Sequence, residues 1–199
     1  MKIIKLGLTG SIGMGKTRTT LMFKNLGIPV FDADKKVHEL FDKNIKLIKL
    51  IEKNFDGVVK NNYVNRKILG NIVFQNKKKK EILENLVHPF VRIERNKFTK
   101  SAIRNKFPIV LYDIPLLFET KSEKHYDHII VVSASKFIQT KRVLNRAGMT
   151  NDIFKNINMS QISDYKKRSK ADFIIYSGLG VAHAFKNVKL IIGKIRNYN

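Results

Sequence analysis

Gly10-Ser11-Ile12-Gly13-Met14-Gly15-Lys16-Thr17 fits the pattern G-x-x-x-x-G-K-[ST] without a gap. The spacing has a mechanical reason. Glycines at 10, 13 and 15 let the backbone curl, so that successive N–H groups point inward as a cradle for phosphate oxygens. A helix beginning at Lys16 adds the positive end of its dipole at the same point. Lys16 can reach the β- and γ-phosphates, and the Thr17 hydroxyl can ligate Mg²⁺. A glycine-rich turn that merely contains a lysine would need neither the apolar, β-branched run Ile3 to Leu8 before it nor the helical pattern after it. The sequence predicts binding of a nucleoside triphosphate.

Carboxylates and arginines supply the remaining chemistry. Asp32-Ala33-Asp34 closes a short second strand, Ile28 to Asp32, at the carboxyl edge where α/β proteins gather ligands. A carboxylate there could take a proton from an acceptor hydroxyl or hold it in line with a γ-phosphate. The pair could also cap the next helix, and each aspartate could do one job. Asp113 ends a buried-type strand, Pro108 to Asp113, where a carboxylate can orient Mg²⁺ and its waters. Gln139, Arg142 and Arg146 recur at spacings of three and four on a helix opened by Ser133 or Ser135, and so share a face. Arginines there could close over a triphosphate and neutralise transition-state charge, or form a solvated basic face. Arg66, an arginine among lysines, suits forked phosphate binding or an ordinary surface position. His88 reads as a packed histidine before a helix-kinking Pro89, with general acid and metal ligand as the alternatives.

These groups need elements to hold them. A helix over 16–26 should bury Leu21, Met22 and Leu26 and stop at Gly27. From Lys35 to Asn105 the apolar stripes are helical with little strand character, which predicts a long helical insertion covering an acceptor site. Ile129 to Val132 is a core strand, Thr150 caps a further helix, and Gln161 to Arg168 is polar and basic, like part of a mobile lid rather than core. Asp172 to Ile175 is the last strand, and the pattern from Val181 to Ile195 is that of a helix packed on a sheet.

Composition bounds the alternatives. A chain of 199 residues, 43% hydrophobic and 10% aromatic, suits one globular domain. The lack of Cys excludes a disulfide framework and a thiolate metal site. No apolar run approaches a membrane span, and the apolar start is too short for a signal peptide, so a cytoplasmic protein without a membrane partner is expected. The net charge of +23 admits nucleic-acid binding, a cleft for a polyanionic small substrate, or a general bias toward Lys, Asn and Ile. The lysines are scattered, with one run at Lys77 to Lys80, and no groove-reading motif accompanies them. Nucleic acid is therefore not an expected partner.

Taken in order, these stretches resemble the dephospho-CoA kinase family. The matching pieces are GLTGSIGMGKT, LGIPVFDADKKVHELF, NRKIL, LENLVHP, DIPLLFE, QTKRVLNR, and SQ followed by KADFII, from about Ile4 to Ile175. The resemblance implies an α/β fold of the P-loop NTPase type, three-layered with a parallel sheet. It implies one kinase domain over 1–199, with a helical CoA-binding insertion at about 35–106 and a helical lid at about 138–169. The implied reaction is ATP-dependent phosphorylation of the ribose 3′-hydroxyl of dephospho-CoA, the last step of coenzyme A synthesis, by a monomer using ATP and Mg²⁺. By the same resemblance Gly13, Met14, Gly15, Lys16, Thr17 and Arg18 surround the ATP phosphates. Asp34 receives the 3′-hydroxyl, Arg66 stands near the acceptor and transferred phosphate, and Arg142 is the lid arginine, supported by Arg146. Three positions depart from the family pattern: Arg18 replaces a small hydroxyl residue, Ser177 stands where asparagine is common, and Ser11 replaces glycine.

Overall fold

The computed structural model describes residues 3–197. β1 (Ile4–Thr9) is buried at every position but Lys5, as a central parallel strand must be. α1 (Lys16–Asn25) follows the phosphate loop and buries Thr19, Thr20, Met22 and Phe23. Leu21, expected on the inner side, is 52% exposed, because Thr19 with Met22 and Phe23, three and four residues on, defines the inward stripe. Gly27 ends the turn in a left-handed conformation, φ 76°. β2 (Val30–Asp32), α2 (Ala33–Lys43), α3 (Ile45–Asn54), β3 (Val59–Lys60), β4 (Tyr63–Val64), α4 (Arg66–Gln75) and α5 (Lys77–Arg104) come next. The chain then returns through β5 (Ile109–Asp113), β6 (His128–Ser133), α6 (Lys136–Leu144), α7 (Asn151–Ser160), α8 (Asp164–Arg168), β7 (Phe173–Tyr176) and α9 (Val181–Asn197).

Two compact units result: one is the chain up to Val30 and from Asn105 onward, the other Phe31–Arg104. The sheet runs β2-β5-β1-β6-β7, and β1 pairs in parallel with both β5 and β6, as β6 does with β7. Alternation along β6 shows that both faces are covered. Ile130 and Val132 join a core with Phe23 of α1 and Val188 of α9, while Ile129 and Val131 pack with Leu117 and Phe118 on the other side. This is the expected α/β, three-layer arrangement.

Residues 31–104 have their own core, in which Leu40, Leu47, Ile51, Phe55, Leu69 and Val87 are buried together. The helical expectation for this stretch misses a hairpin, β3 with β4. Its turn is Asn61-Asn62, both left-handed at φ 51° and 62°, which asparagine tolerates. Two-residue strands are too short for alternation to reveal. α5 runs unbroken through Pro89, and His88 is exposed rather than packed. Val87 takes the inward position, so the next residue falls on the outer surface. Among the described residues no helix is long and apolar enough to cross a membrane.

Candidate active site

The phosphate loop is shaped by crowding as much as by dihedral freedom. Gly13 and Gly15 have φ of 77° and 92°, and Gly15 is the left-handed residue that opens α1. A Cβ on Gly13 would lie 2.5 Å from Val143 Cγ2, and one on Gly15 would lie 2.8 Å from Ser177 Oγ. Met14 is buried, and its Sδ accepts a hydrogen bond from the Ala134 amide at 3.1 Å, so its side chain pins the loop to the start of the β6–α6 connection.

Lys16 Nζ stands 2.5 Å from Asp113 Oδ1, and Thr20 Oγ1 donates to Asp113 Oδ2 at 2.6 Å. Asp113 is only 3% exposed. The register that sets Leu8 opposite Asp113 brings this carboxylate to the base of the loop. Thr17 and Arg18 are exposed at the start of α1. A threonine hydroxyl and a carboxylate are hard oxygen ligands of the kind Mg²⁺ takes beside substrate phosphates. Among the described residues no group of three or more His, Cys, Asp or Glu is placed to hold a metal ion.

Arg142, on α6, reaches the loop. Its Nη1 donates to Ser177 Oγ at 2.8 Å and to the Gly13 carbonyl at 3.4 Å, and its Nη2 donates to the Ser177 carbonyl at 3.0 Å. Ser177 Oγ in turn donates to the Met14 carbonyl at 2.6 Å. Arg146 does not share the helical face expected for it: α6 ends at Leu144, and Arg146 is exposed in the turn beyond. Gln139, expected beside the arginines on a basic face, is 6% exposed and faces the loop.

Several residues that hold the loop carry no local signal. Gln139 Nε2 donates to the Ile12 carbonyl at 2.8 Å, and the Ile12 amide donates to Gln161 Oε1 at 3.1 Å. One peptide unit on each side of Ile12 is thus held by a glutamine from the 138–169 stretch. Lys167 departs from the reading of Gln161 to Arg168 as part of a mobile lid rather than core. It is fully buried, with Nζ 2.8 Å from Glu119 Oε1, and the Ile162 amide donates to that same oxygen at 2.9 Å. Glu119 belongs to the DIPLLFE stretch, so this buried pair joins two of the sequence pieces singled out above. Beside the loop, at Ser11 and Met14, opens a cleft of about 790 Å³ that Ser133, Arg168, Tyr176 and Leu179 also line. Asp164 Oδ2 there accepts from Ser133 Oγ at 2.7 Å and Arg168 Nε at 2.9 Å. The Arg168 guanidinium is held above its ordinary pKa by its hydrogen bond to Tyr176 and, against some desolvation, by Asp164.

Residues 31–104 carry the two other candidates. Asp32 Oδ1 accepts from the Lys35 amide at 3.0 Å and so caps α2, and Asp34 is exposed in the first turn of that helix. Arg66 is the first residue of α4 and is exposed; Asn65 caps the helix by accepting from the Lys67 and Ile68 amides.

A family model described as dephospho-CoA kinase matches residues 4–181. A dephospho-CoA kinase of Bartonella quintana is 45% identical over 96% of this chain and 97% of its own length. A solved dephospho-CoA kinase from Campylobacter jejuni is similar with a TM-score of 0.71 at 30% identity, covering 96% of each chain. A crystal structure from Thermus thermophilus is similar with a TM-score of 0.84 at 25% identity, covering 98% of each chain. With its phosphate loop, its parallel sheet and a match over nearly its whole length, the chain belongs to the dephospho-CoA kinase family.

Proposed function

We propose that this chain phosphorylates the ribose 3′-hydroxyl of dephospho-CoA with ATP through Lys16, Asp34, Arg66 and Arg142. Family membership supports the reaction and the use of ATP. The observation that supports the placing of Asp34 is its exposed position in the first turn of α2, just past the carboxyl end of β2.

In this reading the backbone amides from Gly13 to Arg18 cradle the ATP phosphates, and Lys16 lies along the β- and γ-phosphates. Thr17 and Asp113 would hold Mg²⁺, which when bound neutralises phosphate charge. Asp34 aligns the 3′-hydroxyl and takes its proton as the new O–P bond forms on the γ-phosphorus. The bond from that phosphorus to the β–γ bridging oxygen breaks, and ADP leaves. Arg66 and Arg142 neutralise charge that builds on the phosphoryl oxygens, the role in which arginine exceeds lysine. The helical insertion at about 35–106 would hold the CoA moiety, and the stretch at about 138–169 would act as a lid that keeps out water, the competing acceptor. The protein works as a monomer in the cytoplasm, without nucleic acid.

The test is kinetic. Asp34→Asn is expected to lower kcat by about 10²-fold or more while ATP affinity stays within a few-fold. Equal losses in both would remove Asp34 from the chemistry. Mass spectrometry of dephospho-CoA incubated with ATP, Mg²⁺ and enzyme reads the product directly, as a gain of one phosphate on the acceptor.

A further inference from the structure

Ser177, the first residue after β7, touches the two parts of the site that must agree with each other. Its hydroxyl has one proton and two lone pairs. The proton is spent on the Met14 carbonyl at 2.6 Å, and a lone pair receives Arg142 Nη1 at 2.8 Å. The Ser177 carbonyl takes the other arm of the same guanidinium at 3.0 Å. The loop leaves room for this contact only because residue 15 is glycine. A Cβ there would come within 2.8 Å of Ser177 Oγ and 3.1 Å of Arg142 Nη1.

We infer that Ser177 is a positioning residue for phosphoryl transfer, whose hydroxyl latches Arg142 to the phosphate loop at Met14. This rests on the reading of Arg142 as a charge-neutralising group. An asparagine amide at this position can make the same bridge, donating from its nitrogen and accepting at its oxygen. Alanine keeps the carbonyl contact but can neither donate to Met14 nor accept from the arginine.

The experiment is a double-mutant cycle in steady-state kinetics with ATP and dephospho-CoA. Ser177→Ala is expected to lower kcat about tenfold, the size of a lost hydrogen bond to a charged group, and to leave KM for dephospho-CoA unchanged. Ser177→Asn is expected to restore kcat to near the starting value, and in an Arg142→Ala background Ser177→Ala should cost nothing further. If Ser177→Ala proves unfolded by circular dichroism, Ser177→Cys, a weaker donor, takes its place with a smaller loss in the same direction. An Ser177→Ala enzyme with unchanged kcat, or one equally impaired with and without Arg142, overturns the latch while leaving the role of Arg142 intact. Full kcat in Arg142→Ala alone overturns that role, and the latch with it.

Discussion

Lys16 and Asp113 meet as an ion pair where the phosphate loop joins α1, with the carboxylate almost entirely out of water and also bonded to Thr20. A buried carboxylate of this kind is stable only while paired. The pair therefore fixes the Lys16 side chain at the base of the phosphate loop.

Two substitutions separate the charge from its fixing point. Lys16→Ala should abolish turnover, by about 10³-fold or more, since it removes the phosphate-facing charge and strands Asp113. Asp113→Asn keeps the shape and should lower kcat on the order of 10²-fold in a folded protein. A coupled ADP-release assay with a thermal melt reads both; near-normal turnover in Asp113→Asn would contradict its placement in the site.

Gln161 holds the Ile12 amide from a stretch 149 residues away in sequence. Gln161→Leu leaves that amide without its acceptor and loosens the loop on one side, while Gln139 still holds the carbonyl. ATP affinity measured by titration calorimetry should weaken by about tenfold, the scale of one such hydrogen bond. Unchanged affinity would show that the loop keeps its shape without this contact.

Glu119 and Lys167 make a pair whose lysine is wholly buried. Glu119→Gln still offers an amide oxygen to Ile162 but leaves the ammonium uncompensated. The expected cost is about 3 kcal/mol, a melting temperature lower by roughly 6–12 °C. Replacing both by apolar residues, Glu119→Leu with Lys167→Met, should recover most of that loss. A single variant that melts like the parent would mean that the pair contributes nothing.

Legibility followed chain distance. The glycine spacing, the buried strands and the caps are local chemistry: Thr150 opens its helix, and of Ser133 and Ser135 it is Ser135 that caps α6. The side chains that hold the loop were not legible, because Gln139, Gln161 and Ser177 lie 127, 149 and 163 residues from the atoms they bind, and no periodicity marks such a contact. Lys167 sits in the run Lys166-Lys167-Arg168, which reads as surface until Glu119 is seen beside it. His88 failed for a different reason: a single histidine next to a buried valine carries no sign of which way it faces. The roles proposed for Asp34 and Arg66 rest on the family motifs, since neither position alone separates chemistry from an ordinary helix start.

The strand that leads into the phosphate loop has to wait for its neighbours. Ile4 pairs with Ile109, and every residue from Phe31 to Arg104 lies in between, in a unit with a core of its own. The contacts of that core are all made within the intervening block, whereas β1 has no partner strand until β5 and β6 have been made. β1, made before that block, finds its partners only after it, so assembly of the nucleotide cradle is paced by long-range pairing rather than by the local chemistry of its glycines.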